Sequence, residues 1–196
     1  MKAVYRSIKP YWLYLILIGK KMIEVGKDFP KVCVWNKEVF LHCSKDIKSF
    51  KRIPEENREW MRKYLGKVAC RFVCDEITPL FNVATTSWEL LAGNVHEYAK
   101  ALVRMACLTE EEMHSYAKGE NCYAWHISDL VIYDKPKELG EFKAFCKSYY
   151  DGDRCDDCKY FIDGRGYEYD ESDCGCNGLK PLERPPQSWM YVEVEG

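Results

Sequence analysis

The apolar positions of this chain fall into short runs whose spacing changes several times, and each change marks an element. Val4 to Ile8 is an extended run. Pro10 follows, suited to the first turn of a helix because its missing N–H costs nothing there. Tyr11 to Ile18 is apolar on nearly every side, which predicts a mostly buried helix. Gly19 fits the left-handed position just past the helix end. Lys20 and Lys21 supply the positive charge favoured at a helix C-terminus. Met22 to Val25 then starts a second strand, which carries Glu24. Strand, helix, tight turn and strand in this order bring Lys9, Lys21 and Glu24 toward one edge of a small sheet.

Farther on, residues 31–36 and 38–44 read as strands meeting at a turn over Asn36-Lys37. Residues 54–65 read as a helix, with Pro54 at its start, Glu55, Glu56 and Glu59 early, Arg62 and Lys63 late, and Gly66 at its end. Trp60, Met61, Tyr64 and Leu65 form its predicted buried stripe. Val68 to Ile77 reads as one long strand, and Thr78 to Ser87, with Pro79 and Asn82, as a loop. Tyr98, Ala99, Leu102 and Met105 recur at helical spacing over residues 95–105. Thr109 with Glu112 three residues on has the capping-box spacing of a further helix, ending near Gly119. Cys122 to Ile132 reads as a strand stopped by Lys135-Pro136-Lys137. Residues 138–145 suggest a helical turn, and Met190 to Glu195 a closing strand.

Composition narrows the class. The chain has 196 residues, 47% of them hydrophobic, enough for one packed domain or one domain with an insert. A net charge of −2 excludes a strongly basic, non-specific nucleic-acid binder while leaving room for a local basic patch. The apolar run at 11–18 is too short to span a bilayer. The N-terminus has no apolar core ending in a small-residue cleavage site. An odd count of 11 cysteines, with no secretion signal, points to a reducing cytoplasm rather than a disulfide framework. No membrane partner is expected.

Six cysteines, Cys33, Cys43, Cys70, Cys74, Cys107 and Cys122, are scattered through apolar segments, as small core hydrophobes are. The other five, Cys146, Cys155, Cys158, Cys174 and Cys176, crowd into a stretch rich in Asp, Gly and Tyr and poor in aliphatic residues. Such a stretch builds no core unaided. Cys155-x-x-Cys158 followed by Cys174-x-Cys176 supplies four thiolates, the ligand number of structural Zn2+. Gly175 and Gly178 allow the tight turn such a site needs. Metal binding would then supply the folding energy this stretch lacks. Cys146 stands as a substitute ligand, and a loop with free thiols as the plainer alternative. The division is a main domain of residues 1–145 plus 186–196 and a Cys-rich, zinc-stapled insert of residues 146–185.

The opening Ser-Ile-Lys-Pro, followed by Gly-Lys-Lys-x-Ile-Glu, resembles the start of ASCH domains, a branch of the PUA-like superfamily. Gly66-Lys67-Val68 onward looks like that family's central strand. Tyr123 to Ser128 looks like a later strand, and Pro185-Pro186-Gln187-Ser188-Trp189 leads into what looks like the last one. The resemblance implies a mixed α+β fold: a PUA-like small β-barrel with peripheral helices. It also implies a cleft between the first helix and the barrel that takes nucleic acid or a nucleotide-like ligand.

Lys9 and Lys21 would offer cations to phosphate or base carbonyls. Ser7 and Ser188 offer short hydrogen-bonding groups, Trp125, Trp189 and Trp88 flat faces for a base, and Glu24 a partner for a lysine or an acceptor for a base amino group; His126, in a strand, joins the same candidate set. The plainer readings are surface charge for the lysines, core for the tryptophans and a structural hydrogen bond for His126. The leading function is binding of RNA, or of a modified or unpaired base, since a small cleft suits an unstacked base better than duplex.

One ASCH-type branch hydrolyses N4-acetylcytidine with a lysine, a threonine and a glutamate in a Gly-x-Lys-Thr-x-Thr pattern. Here Lys21 is kept, Glu24 stands at the threonine position, and Arg71 falls where the glutamate is expected. Two of three roles are therefore absent, and a small amidohydrolase acting on a modified nucleoside ranks second to binding. A protein-interaction module using the Cys-rich insert is the third reading. A compact chain of this type suits a bacterial or phage host.

Overall fold

The fold is described from a computed structural model, over residues 2–30, 37–80, 94–145 and 179–193, with backbone only for 94–97. The predicted opening unit is present. Strand β1 (Lys2–Ile8) leads into helix α1 (Pro10–Leu17), then strand β2 (Ile23–Gly26). Gly19 takes φ +73°, and the amides of Lys20 and Lys21 both donate to Leu15 O, at 2.9 and 3.0 Å, closing the helix end. Leu13 through Leu17 are buried, so α1 is a core helix.

The remaining elements are β3 (Lys37–Cys43), α2 (Ile47–Phe50), α3 (Glu55–Arg62), β4 (Val68–Cys74) and β5 (Ile77–Leu80). After these come α4 (Asn94–Met105), α5 (Glu110–Ala117), β6 (Cys122–His126), β7 (Ser128–Lys137), β8 (Lys143–Phe145), β9 (Leu179–Pro181) and β10 (Trp189–Glu193). A 3-10 turn, Leu139–Glu141, precedes β8. The strands build a seven-stranded sheet in the order β7-β4-β3-β1-β10-β8-β9 and a three-stranded sheet in the order β2-β6-β5. Among the described residues only the β1–β3 pairing is parallel. The class is mixed α+β, and the described residues show no closed barrel.

Three apolar clusters order these layers. Val4, Ile8, Val39, Leu41, Phe72 and α1 residues meet Trp125 of the small sheet, so the main core lies between the two sheets. Ile23, Val25, Cys122 and Ala124 on the small sheet's other face pack against Leu102, Val103, Met113 and Ala117 of α4 and α5. Tyr5, Phe40, Phe142, Leu182 and Val192 cover the far face of the large sheet.

Several sequence readings need correction. The run Val68 to Ile77 is two strands, because the chain leaves the large sheet at Asp75-Glu76 and enters the small one as β5. Cys122 to Ile132 likewise divides at Ile127 into β6 and β7, in different sheets. Pro79 lies inside β5 and Pro136 inside β7. Both strands are sheet edges, where no ladder N–H is required. Trp60 is 38% and Tyr98 51% exposed, so neither belongs to a buried stripe, whereas Met61 and Tyr64 do. Leu179–Pro181, within the 146–185 segment, pairs with β8. Cys43, Cys70, Cys74 and Cys122 are buried free thiols. Burial raises the pKa of Cys43, Cys70 and Cys74 to about 12, as inert core residues require. The turn at Asn36-Lys37 begins, and Cys33, Trp88 and the five clustered cysteines fall, outside the described residues.

Helix α5 carries the capping box read from its sequence. Glu112 N donates to Thr109 Oγ1 at 3.1 Å, and Thr109 N donates to Glu112 Oε2 at 3.2 Å. Replacing Thr109 by Ala is expected to lower unfolding stability by about 1 kcal/mol in urea titration, and no change would show the cap to be idle.

Candidate functional site

Alternation along β1 decides which side chains enter the space between the sheets. Val4 and Ile8 point into the main core, and Arg6 shares their face. Opposite it, register pairs Glu24 of β2 with Trp125 of β6, on the small-sheet face that looks back at β1. Arg6, 4% exposed, therefore meets Glu24, 7% exposed, in the interior. Its Nε and Nη2 donate to Glu24 Oε1 at 3.3 and 3.2 Å, and Nη2 donates to Val25 O at 2.8 Å. The guanidinium also lies over the Trp125 ring, 4.8 Å from its centroid.

Lys21 completes the cluster. The turn after α1 carries it inward, to 4% exposure. Its Nζ donates to Ala106 O at 2.9 Å and lies 3.4 Å from Glu24 Oε2 and 5.5 Å from the Trp12 ring centroid. One carboxylate thus faces two cations. Burial lowers the Lys21 pKa; Glu24 opposes that shift and Arg6 adds to it. Tyr116 closes the cluster near Val25, its hydroxyl donating to Val25 O at 3.4 Å, and burial raises its pKa.

The polar bonding is incomplete. Arg6 Nη1 and Trp125 Nε1 are buried without a hydrogen-bond partner among the described residues. Both turn to the bare side of Gly26. A Cβ placed there would lie 3.0 Å from Asp28 O, 3.1 Å from Arg6 Nη1 and 3.2 Å from Trp125 Nε1. The Asp28 side chain ties down the neighbouring edge: Trp189 Nε1 donates to its Oδ1 at 2.8 Å and Ser188 Oγ at 3.4 Å.

The sequence-predicted residues are thus distributed unevenly. Lys21, Glu24 and Trp125 meet through Arg6, and Ser188 and Trp189 stand beside them through Asp28. Lys9 sits at the other end of α1, its side chain 64% exposed and 3.7 Å from Asp46 Oδ2. Ser7 is on the opposite face of β1 from Arg6, with its Oγ buried and no partner among the described residues. His126 is on the Ile23 face of the small sheet, its Nδ1 2.6 Å from Asp75 Oδ1. Burial works against the Asp75 carboxylate, but the hydrogen bond from His126 and its companions prevail and lower its pKa. Arg6, Gly26, Asp28, Trp12 and Tyr116 were not predicted. The available signal was Arg6 itself, a charge at an inward position of an apolar strand.

No protein-family model matches the sequence, and no curated protein matches it. Three solved structures of ASCH from Zymomonas mobilis are similar. The unmodified protein has 14% identity, covering 97% of this chain and 87% of its own, at a TM-score of 0.48. A tyrosine-to-phenylalanine variant has 17% identity, covering 71% and 77%, also at 0.48. A serine-to-alanine variant has 14% identity, covers 97% of this chain and 88% of that one, and reaches a TM-score of 0.52.

This chain has the ASCH fold.

Within that ASCH fold, the Arg6–Glu24–Lys21 cluster bridges the two sheets. Among the described residues no group of three or more His, Cys, Asp or Glu is placed to hold a metal, and no helix is long and apolar enough to cross a membrane. What the cluster can do follows from its charge: two cations and two spare donors favour a ligand group rich in lone pairs.

Removing Glu24 strands both cations away from water. Glu24→Ala is expected to cost about 3–5 kcal/mol in urea unfolding, and a loss under 1 kcal/mol would contradict the shared pairing. Lys21 adds a pH signature. The folded chain binds its proton less tightly than the unfolded one. Between the lowered pKa and 10.5 the unfolded state holds more protons, so stability rises with pH across that window. Lys21→Met is expected to remove this rise in urea titrations run from neutral pH upward, and parallel curves for the two proteins would contradict it.

Proposed function

We propose that this chain binds single-stranded nucleic acid, RNA or an unpaired or modified base, through the Arg6–Glu24–Lys21 cluster and the tryptophans around it. The observation that supports this reading is the enclosed excess of positive charge: two cations to one carboxylate, with two donors left over. Trp12 and Trp125 flank those cations, and half-buried Trp189 lies at the edge beside Asp28. Cationic groups beside flat aromatic faces suit phosphate and base together. Lys9, exposed at the other end of α1, serves in this reading as an outer contact for phosphate. The ASCH fold of the Zymomonas mobilis structures is consistent with it, and the two sheets with their shared core are taken as the wall of a PUA-like barrel.

Hydrolysis fits less well. Glu24 already engages Arg6 through Oε1 and Lys21 through Oε2, so it has no free oxygen with which to act as a general base. The free thiols of Cys43, Cys70, Cys74, Cys107 and Cys122 support a cytoplasmic setting. For the insert, we keep the proposal that Cys155, Cys158, Cys174 and Cys176 hold structural zinc, on the strength of their spacing.

Two measurements test these readings. Fluorescence anisotropy with a labelled single-stranded RNA is expected to show affinity falling steeply with added salt. Lys21→Met should weaken binding roughly tenfold, the worth of one charge-assisted hydrogen bond; salt-insensitive or absent binding would overturn the assignment. Metal analysis of the purified protein is expected to find one zinc per chain, lost together with Cys155→Ser and Cys158→Ser, and a metal-free protein would end the zinc proposal.

A further inference from the structure

Positive charge gathers at one corner of the surface, where α2 packs beside the start of α1. Residues 45–52, which contain α2, include Lys45, Lys48, Lys51 and Arg52 against one acid, Asp46, in a chain whose net charge is −2. Asp46 is already engaged. Its Oδ1 accepts the Ser49 amide at 2.9 Å as the α2 cap, and its Oδ2 lies 3.7 Å from Lys9 Nζ. Lys48, Lys51 and Arg52 stand at i, i+3 and i+4, so one side of the helical turn carries all three. All are exposed, and no ion pair among the described residues involves Lys48 or Lys51. Like charges at this spacing repel, and a polyanion laid across them removes the repulsion. Lys9, exposed at the start of α1, adds a further cation.

Aromatic rings lie within the same corner. Tyr11 N donates to Ser49 Oγ at 3.0 Å, fastening α1 to α2. The Arg52 guanidinium carbon lies 4.1 Å from the Tyr11 ring centroid and 4.9 Å from that of Trp12. Its Nη2 donates to Glu112 Oε1 at 3.0 Å, and its side chain is 47% exposed. A guanidinium held on aromatic rings at the surface is a prepared plane, and unpaired bases stack on such planes. Trp12 also lies 5.5 Å from Lys21 Nζ, so the corner adjoins the buried cluster. Lysines alone suit any polyanion. The stacked arginine narrows the choice, because anionic lipid headgroups offer charge but no flat face, and the bases of a duplex are already stacked within it.

Resting on the nucleic-acid reading above, we infer that the α1–α2 corner is the surface along which a single strand runs. Lys9, Lys48 and Lys51 take its phosphates, and Arg52, stacked on Tyr11 and Trp12, takes a base.

The test measures binding of a labelled single-stranded RNA to the intact chain by anisotropy over a series of salt concentrations. In the triple variant Lys9→Gln, Lys48→Gln, Lys51→Gln the plot of log affinity against log salt is expected to become shallower by about 2, since each phosphate contact to a single strand contributes about 0.7. A control triple, Lys63→Gln, Lys118→Gln, Lys135→Gln, removes as many exposed lysines from other surfaces and should keep the wild-type slope. Arg52→Lys keeps the charge and loses the plane. It should keep the slope and weaken binding about tenfold. A thermal melt of each variant confirms the folded state. A wild-type slope in the first triple, or equal losses in the two triples, overturns the inference and leaves the nucleic-acid reading standing. Wild-type affinity in Arg52→Lys overturns the stacking role assigned to it. Absence of RNA binding by the wild-type chain overturns both readings, and capture by anionic lipid vesicles in that case would assign the corner to a membrane surface instead.

Discussion

One carboxylate shared by two cations in the space between two sheets is the constraint on which this structure turns. Glu24 sits on β2, Arg6 on β1 and Lys21 on the turn between α1 and β2, so their meeting ties the small sheet, the large sheet and the first helix to one point. Burying three charges is expensive, and mutual attraction repays it only when geometry is good and the remaining polar atoms are bonded. Here part of that repayment comes from backbone carbonyls, Val25 O for Arg6 and Ala106 O for Lys21. The second of these draws in the segment after α4, so the helical layer also depends on the same cluster.

The geometry tolerates little slippage. A shift of one residue in β1 would turn Arg6 to the Tyr5 face, where Phe40 and Phe142 offer no counter-charge. The length of α1 matters equally. Its eight residues and the left-handed Gly19 set where Lys21 emerges. One residue more would rotate the ammonium by about 100° around the helix axis. The excess of cation over anion is therefore built into backbone geometry.

Local signals are legible in the sequence, and tertiary ones are not. The α1 boundaries, the Gly19 exit and the Thr109–Glu112 box are written in neighbouring residues, and each appears in the structure. The two strand divisions are not, since Asp75-Glu76 and Ile127 carry no proline or glycine, and only the existence of a second sheet makes the chain leave the first. Pro79 reads as a loop residue and Pro136 as a strand stop because edge position is a property of the assembled sheet. At the site, Lys9 and Lys21 look alike in sequence, flanking the same helix. The helical corner at Ala106 buries one, while Asp46 holds the other at the surface. Arg6 showed itself as a charge in an apolar strand, but the side it faced became a site only when Glu24 and Trp125 lined the opposite wall.

The most direct measurement is an NMR titration that follows the six tryptophan indole N–H signals as single-stranded RNA is added, with Trp125 assigned from its phenylalanine variant. The account predicts that the Trp125 signal moves strongly and saturates along with binding. A Trp125 signal that stays in place at saturating RNA while other indole signals shift would put the ligand elsewhere on the molecule and contradict the account.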